Sequence, residues 1–91
     1  MASVVVLLPA LLATEAGGRN RFELEVDTVG HALRALPVSD LLFDERGELR
    51  RLVNVYVDGV DARGRGGVDL PLTDGATLRI VQAVAGGATS H

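Results

Sequence analysis

The apolar positions of this chain fall into a few distinct rhythms. Ser3 to Leu8 is an unbroken β-branched and leucine run, which predicts a strand buried on both faces or lying centrally in a sheet. Pro9 ends it, because proline has no N–H to give the ladder. Arg21 to Asp27 alternates strictly, with Phe22, Leu24 and Val26 on one side and Glu23, Glu25 and Asp27 on the other. That spacing predicts a half-buried strand with a solvated acidic face. Arg51 to Asp58 returns to alternation, with Val53, Val55 and Val57 inward and Leu52, Asn54 and Tyr56 outward. The last strand runs from Ala76 to about Val84, with Leu78 and Ile80 inward and Arg79 and Val81 on the other face.

Between these runs the period changes. Ala10 to Ala16 fits a turn of helix or a loop, and Gly17-Gly18 then reverses the chain, so the first two strands form a hairpin with a long connection. Thr28 is placed as a helix N-cap. Val29, Ala32, Leu33 and Leu36 follow at the i, i+3, i+4, i+7 spacing of one helical face, and Pro37 stops the helix. Val38 to Leu49 holds a second helical turn and a loop. Asp58-Gly59 is a hairpin turn signal, Val60 to Gly67 a short strand and a glycine-rich loop, and Leu70 to Gly75 a tight turn.

The order is β-β-α-β-(short β)-β. The first and last strands are the most uniformly apolar, which predicts that they lie side by side in the middle of a mixed sheet with the helix on one face. This is an α+β fold of the β-grasp (ubiquitin-like) kind: a mixed four- to five-stranded sheet with one main helix packed on one face. The expected domain spans residues 1–85, and 86–91 are expected to form a flexible C-terminal tail with the Gly-Gly pair and a removable four-residue extension.

Composition narrows the chemistry. At 91 residues there is room for one modest core and none for an enclosed catalytic cavity. Hydrophobic residues make up 47%, which is globular rather than disordered composition. The net charge is −3 and the arginines are scattered from Arg19 to Arg79, so no basic footprint for nucleic acid is visible. The absence of cysteine removes disulfides, thiolate nucleophiles and cysteine-based metal sites together. The apolar start lacks a basic n-region, is interrupted by Pro9 and is far shorter than the roughly 20 residues of a membrane span, so it reads as a first strand in a cytoplasmic protein.

Three stretches carry a family resemblance: Val53-Asn54-Val55-Tyr56-Val57-Asp58-Gly59, the turn and strand from Leu72 to Ile80, and Ala83-Val84-Ala85-Gly86-Gly87. Through them the chain resembles the ThiS/MoaD family of sulfur carriers, most of all the carriers of thiocarboxylate-dependent cysteine synthesis. The resemblance implies a protein co-substrate with no catalytic activity and no bound cofactor or metal of its own. It implies that the C-terminal glycine carboxylate, here Gly87, is adenylated by a ubiquitin-activating-type (E1-like) enzyme with ATP. A sulfur donor then converts it to a thiocarboxylate, and a sulfur-accepting biosynthetic enzyme receives the sulfur. Gly86 and Ala85 are the slim links threaded into the partner. Glycine has no Cβ, so such a tail fits a narrow channel and adopts angles closed to other residues.

One departure follows from the sequence itself. With Ala88-Thr89-Ser90-His91 attached, the Gly87 carbonyl is an amide and has no carboxylate to adenylate. The reading therefore requires cleavage between Gly87 and Ala88, and the resemblance points to a zinc-dependent JAMM-type peptidase. Two other functions share these residues: a ubiquitin-like modifier that joins Gly87 to a lysine of a target, and a non-covalent β-grasp interaction domain.

The remaining candidates are of other kinds. Leu52, Tyr56, Arg79 and Val81 fall on the sheet face away from the helix, where mixed apolar and cationic groups suit docking on the activating enzyme. Gly64-Arg65-Gly66-Gly67 lacks the Gly-Lys-Ser/Thr ending of a phosphate loop and reads as a plain flexible turn. His31 reads as a solvent-facing helix residue, and His91 lies in the tail.

Overall fold

A computed structural model describes residues 1–82 of the chain. Its five strands are β1 (Ala2–Leu7), β2 (Arg21–Val26), β3 (Val53–Val57), β4 (Val60–Asp61) and β5 (Thr77–Gln82). Its helices are α1 (Ala10–Glu15), α2 (Val29–Arg34) and α3 (Ser39–Leu42), and two 3-10 turns cover Ala62–Arg65 and Gly67–Asp69. The sheet order is β2-β1-β5-β3-β4. β1 and β5 run parallel, and every other pair is antiparallel. This is the mixed β-grasp sheet expected from the sequence, with β1 and β5 adjacent as their uniformly apolar character predicts.

The parallel register is pinned by a turn. Gly75, at φ 88°, lets the chain reverse directly beside the start of β1. There the Asp74 carboxylate accepts the Ser3 N–H at 2.8 Å, and the Gly75 N–H donates to the Ser3 carbonyl at 2.8 Å. The Val5 N–H then donates to the Ala76 carbonyl at 3.0 Å, and Val5, Val6 and Leu7 pair with Thr77, Leu78 and Arg79. Asp74-Gly75 thus closes the ladder that a long crossover would otherwise leave free to slip.

One face of the sheet carries the core. Val4, Val6, Val26, Val53, Val55, Leu78 and Ile80 are buried there against Val29, Ala32, Leu33 and Leu42. β1 is not buried on both faces: Ser3 is exposed and Val5 and Leu7 are half-buried. The strand has sheet neighbours on both sides, and the helices cover one face alone.

The caps follow the sequence closely. The Thr28 hydroxyl accepts the His31 N–H at 3.2 Å, so the predicted N-cap is formed. α2 ends at Arg34, short of Leu36, because Pro37 keeps the preceding residue out of the helical region. Leu36 is nevertheless buried with the helix. Residues 10–15 are a true helix ended by a Schellman motif: the Gly18 N–H donates to the Ala13 carbonyl at 2.8 Å and the Gly17 N–H to Thr14 at 3.3 Å, with both glycines at positive φ. Asp58 and Gly59, at φ 50° and 87°, join Val57 to its partner Val60, as the two-residue hairpin signal predicts.

The segment after β4 is more than a glycine-rich loop. It forms an ordered strap that backs α2. The Val29 N–H donates to the Leu70 carbonyl at 3.0 Å and the Leu72 N–H to the Asp27 carbonyl at 2.9 Å. Arg63 ties the strap to the sheet, its guanidinium donating to the carbonyls of Val53 at 2.7 Å, Arg50 at 3.3 Å and Arg51 at 3.4 Å. Val68 packs on α2 at Gly30, where a Cβ would sit 3.0 Å from the Val68 carbonyl oxygen and 3.1 Å from its Cβ.

That contact predicts that Gly30→Val destabilises the fold by roughly 1–3 kcal/mol in urea unfolding, since overpacking here outweighs the gain of replacing a helical glycine. In the loop after α3, the Asp44 carboxylate accepts the N–H groups of Glu48 and Arg46 at 3.0 and 2.9 Å. These bonds, the Glu48 one first, hold its pKa below the ordinary 3.8. A depressed carboxylate contributes order above its unfolded pKa and loses it as pH falls through the folded one. An NMR titration therefore shows an Asp44 midpoint under 3.8 and loss of Glu48 amide protection as pH falls through that midpoint.

Candidate functional site

β5 runs through the centre of the sheet toward the tail, and its alternation sorts its side chains. Leu78 and Ile80 enter the core, while Thr77, Arg79 and Val81 stand on the open face. The antiparallel register with β3 sets Tyr56 opposite Arg79 and Asn54 opposite Val81. A shallow depression on this face is lined by Tyr56, Asp58, Gly59, Thr77, Arg79 and Val81. Three of the four docking residues expected from sequence are thus brought together.

Leu52 is not among them. It is 45% exposed but lies one residue before β3, outside the depression. Asp58, Gly59 and Thr77 are additions that sequence reading assigned to a turn and a strand. Their geometry is specific: the Asp58 carboxylate accepts the Thr77 N–H at 3.0 Å and the Asp58 N–H donates to the Thr77 carbonyl at 2.9 Å. The hairpin end is thereby fastened to β5 beside Arg79. Among the described residues Arg79 makes no ion pair, so its charge is available to a partner.

A second depression lies on the helix side of the same strand end. Leu11, Leu12, Glu15, Leu41, Arg50 and Gln82 line it. Leu11 is 65% exposed, which the reading of residues 10–16 as a turn of helix or a loop did not single out. Gln82, the last described residue, therefore has on each side of the sheet a surface of apolar residues with one arginine and one carboxylate: Arg79 with Asp58 on the open face, Arg50 with Glu15 on the helix side. Ala85, Gly86, Gly87 and Ala88, the threading, reacting and cleavage positions, lie outside the described residues.

The other candidates remain separate. His31 is exposed, as expected of a solvent-facing position, and its Nδ1 accepts the Asp27 N–H at 3.3 Å. No metal-binding cluster occurs among the described residues. Glu23 pairs with Arg21, and Asp27 sits 3.4 Å from the Met1 amine, so the acidic strand face is a set of solvated surface contacts. Gly66 and Gly67 belong to the ordered strap, not to a flexible turn. No polar or charged side chain is buried among the described residues. No helix among them is long and apolar enough to cross a membrane.

Comparison with known proteins agrees with this geometry. The ThiS family model matches residues 6–87. Sulfur carrier protein CysO of Mycobacterium tuberculosis is 35% identical over 92 residues, covering 93% of this chain and 99% of that protein. Its crystal structure superposes with a TM-score of 0.80 at 33% identity, covering 89% of this chain and 99% of the other. A chain of the Amycolatopsis orientalis BexX/CysO complex gives a TM-score of 0.78 at 34% identity, covering 92% and 99%. Small archaeal modifier protein 1 of Methanosarcina acetivorans gives 0.80 at 30% identity, covering 96% and 98%. A family match along nearly the whole chain and a full-length relative above 30% identity settle the kinship: the chain belongs to the ThiS family and is a β-grasp sulfur carrier, a protein co-substrate rather than an enzyme.

Proposed function

We propose that this carrier works through the carboxylate of Gly87. A ubiquitin-activating-type enzyme joins that carboxylate to AMP from ATP. Sulfur from a donor then displaces the AMP, leaving a thiocarboxylate that gives its sulfur to a biosynthetic enzyme, of cysteine or of another sulfur-containing metabolite or cofactor. The observation that carries this reading is the extent of the family match, which runs through Gly86 to Gly87 and leaves Ala88-Thr89-Ser90-His91 beyond it. Removal of those residues by a JAMM-type metalloprotease frees the carboxylate. Dependence on cellular ATP suits the cytoplasm.

The chemistry explains the division of labour. A carboxylate at neutral pH is a poor electrophile, and adenylation makes it a good one that must then be kept from water inside the partner. The domain supplies a handle and the partner supplies the walls. That CysO of Amycolatopsis orientalis is found in a complex with BexX supports protein partners for a carrier of this shape. Tyr56, Arg79 and Val81 form the docking face on the open side of the sheet, with Leu52 at its margin.

The likeness to small archaeal modifier protein 1 favours one second reading, a modifier in which activated Gly87 passes to a lysine of another protein. One measurement separates the two. A form ending at Gly87 is incubated with the activating enzyme, ATP and a sulfur source, and its intact mass is followed. Replacement of one oxygen by sulfur is the expected outcome; high-molecular-weight conjugates in its place select the modifier, and an unchanged mass overturns both.

The docking face has its own test. Arg79 is exposed and makes no ion pair among the described residues, so Arg79→Glu leaves the fold intact and lowers kcat/KM for adenylation about tenfold, equivalent to about 1.4 kcal/mol of docking energy. Unchanged adenylation kinetics removes Arg79 from the interface.

A further inference from the structure

The nine cationic side chains of residues 1–91 are all arginines; the sequence holds no lysine, as it holds no cysteine. This matters for a chain whose end becomes an acyl electrophile. An amine attacking the Gly87 carbonyl carbon forms an amide, expels AMP or a thiol as the leaving group and gives up a proton. A carrier attacked in this way by its own lysine is closed into a ring and lost. Arginine keeps its proton in any protein setting and has no free lone pair to attack with, so it provides positive charge without a nucleophile.

Two of these arginines stand at the root of the tail. Arg79 is on β5 itself, and Arg50 shares with Gln82 the depression on the helix side.

The primary amine that residues 1–91 do carry, that of Met1, is placed out of reach by the topology. β1 and β5 are parallel, with Val5 level with Thr77 and Leu7 with Arg79. Carried along the strands, that register sets Gln82 level with residue 10, nine steps from Met1. At about 3.3 Å per strand residue the separation is about 30 Å. The five residues from Gln82 to Gly87 span at most about 17 Å even when fully extended. The Met1 amine also sits against Asp27, at the same far end of the sheet.

We propose that the carrier is inert toward its own activated end: no amine or thiol of residues 1–91 can reach Gly87, so the acyl group is left for an external nucleophile. Under the sulfur-carrier reading that nucleophile is the sulfur donor. Under the modifier reading it is a lysine of another protein, and side-chain-linked polymers of this chain do not form. The inference rests on Gly87 being the carboxylate that is activated.

The test installs the electrophile chemically, so that its outcome does not depend on whether any enzyme activates Gly87; the mass measurement above decides that separately. A form ending at Gly87 is prepared as a thioester of mercaptoethanesulfonate, kept dilute at alkaline pH, and followed by intact mass. The native sequence is expected to give the hydrolysed acid alone. Arg50→Lys and Arg79→Lys, which keep the charge and add an amine at the tail root, are expected to give a cyclised product one water lighter than that acid in at least one of the two. Cyclisation of the native sequence, through Met1, overturns the proposal. So does hydrolysis without cyclisation in both lysine variants, because the choice of arginine would then protect nothing.

Discussion

The parallel pairing of β1 with β5 is the constraint on which the rest of this molecule depends. It joins strands from opposite ends of the domain, so the register is won against a long loop closure. The Asp74-Gly75 turn anchors it through two bonds to Ser3. Once it is set, the antiparallel strands β2 and β3 add on either side with fixed alternation, and the apolar sets of four strands come to one face. The same pairing decides where the tail leaves. Because β5 runs in the direction of β1, the exit at Gln82 is at the opposite end of the sheet from Met1.

The two faces of the sheet are specialised as a consequence. Among the described residues every fully buried large side chain belongs to the helix side, where α2, α3 and the strap from Ala62 to Leu72 cover the strands. Stability is concentrated there. The open face keeps half-buried Val5, Leu7 and Tyr56 beside exposed Arg79 and Val81, enough apolar area to favour contact and enough charge to direct it. A partner can cover this face without disturbing the core, since strand alternation separates the two sets of side chains completely.

Much of this was legible in the sequence because the informative signals are local. Alternation at Arg21–Asp27 and Val53–Val57, the Thr28 cap and the Asp58-Gly59 turn each depend on a few neighbouring residues, and each forms as read. What escaped depends on distant partners. The order of the strap comes from Arg63 reaching carbonyls of residues 50, 51 and 53 and from Val68 meeting Gly30, contacts that no spacing within residues 60–72 announces. β1 looked two-sided because valine and leucine fill both of its faces; the helices cover one. Tyr56, Arg79 and Val81 converge as alternation requires, whereas Leu52 falls outside because alternation gives the side of a sheet and not the limit of a strand.

Under the proposed function, in which Gly87 is the reacting residue, the length of the tail sets a demand on any partner. A β-grasp domain docked by its sheet face cannot itself enter an active site, and from Gln82 to Gly87 the chain spans at most about 17 Å. The reacting centre of a partner must lie within that distance of the surface on which the domain sits. A channel of this depth excludes water from an acyl adenylate and admits a peptide only if its side chains are small, which Ala83, Ala85, Gly86 and Gly87 satisfy and Val84 alone strains. If the proposed docking face is the one used, docking and threading are coupled: side chains such as Tyr56 and Arg79 would fix where the channel begins, and residue number would fix how deep the chemistry is. Moving the docking surface along β5 by a single residue would shift Gly87 by about 3.3 Å, the whole of a near-attack distance. On that proposal, precision at the reacting carbon would be inherited from the ladder between β1, β5 and β3, which gives a carrier with no catalytic residue of its own a reason for so well determined a sheet.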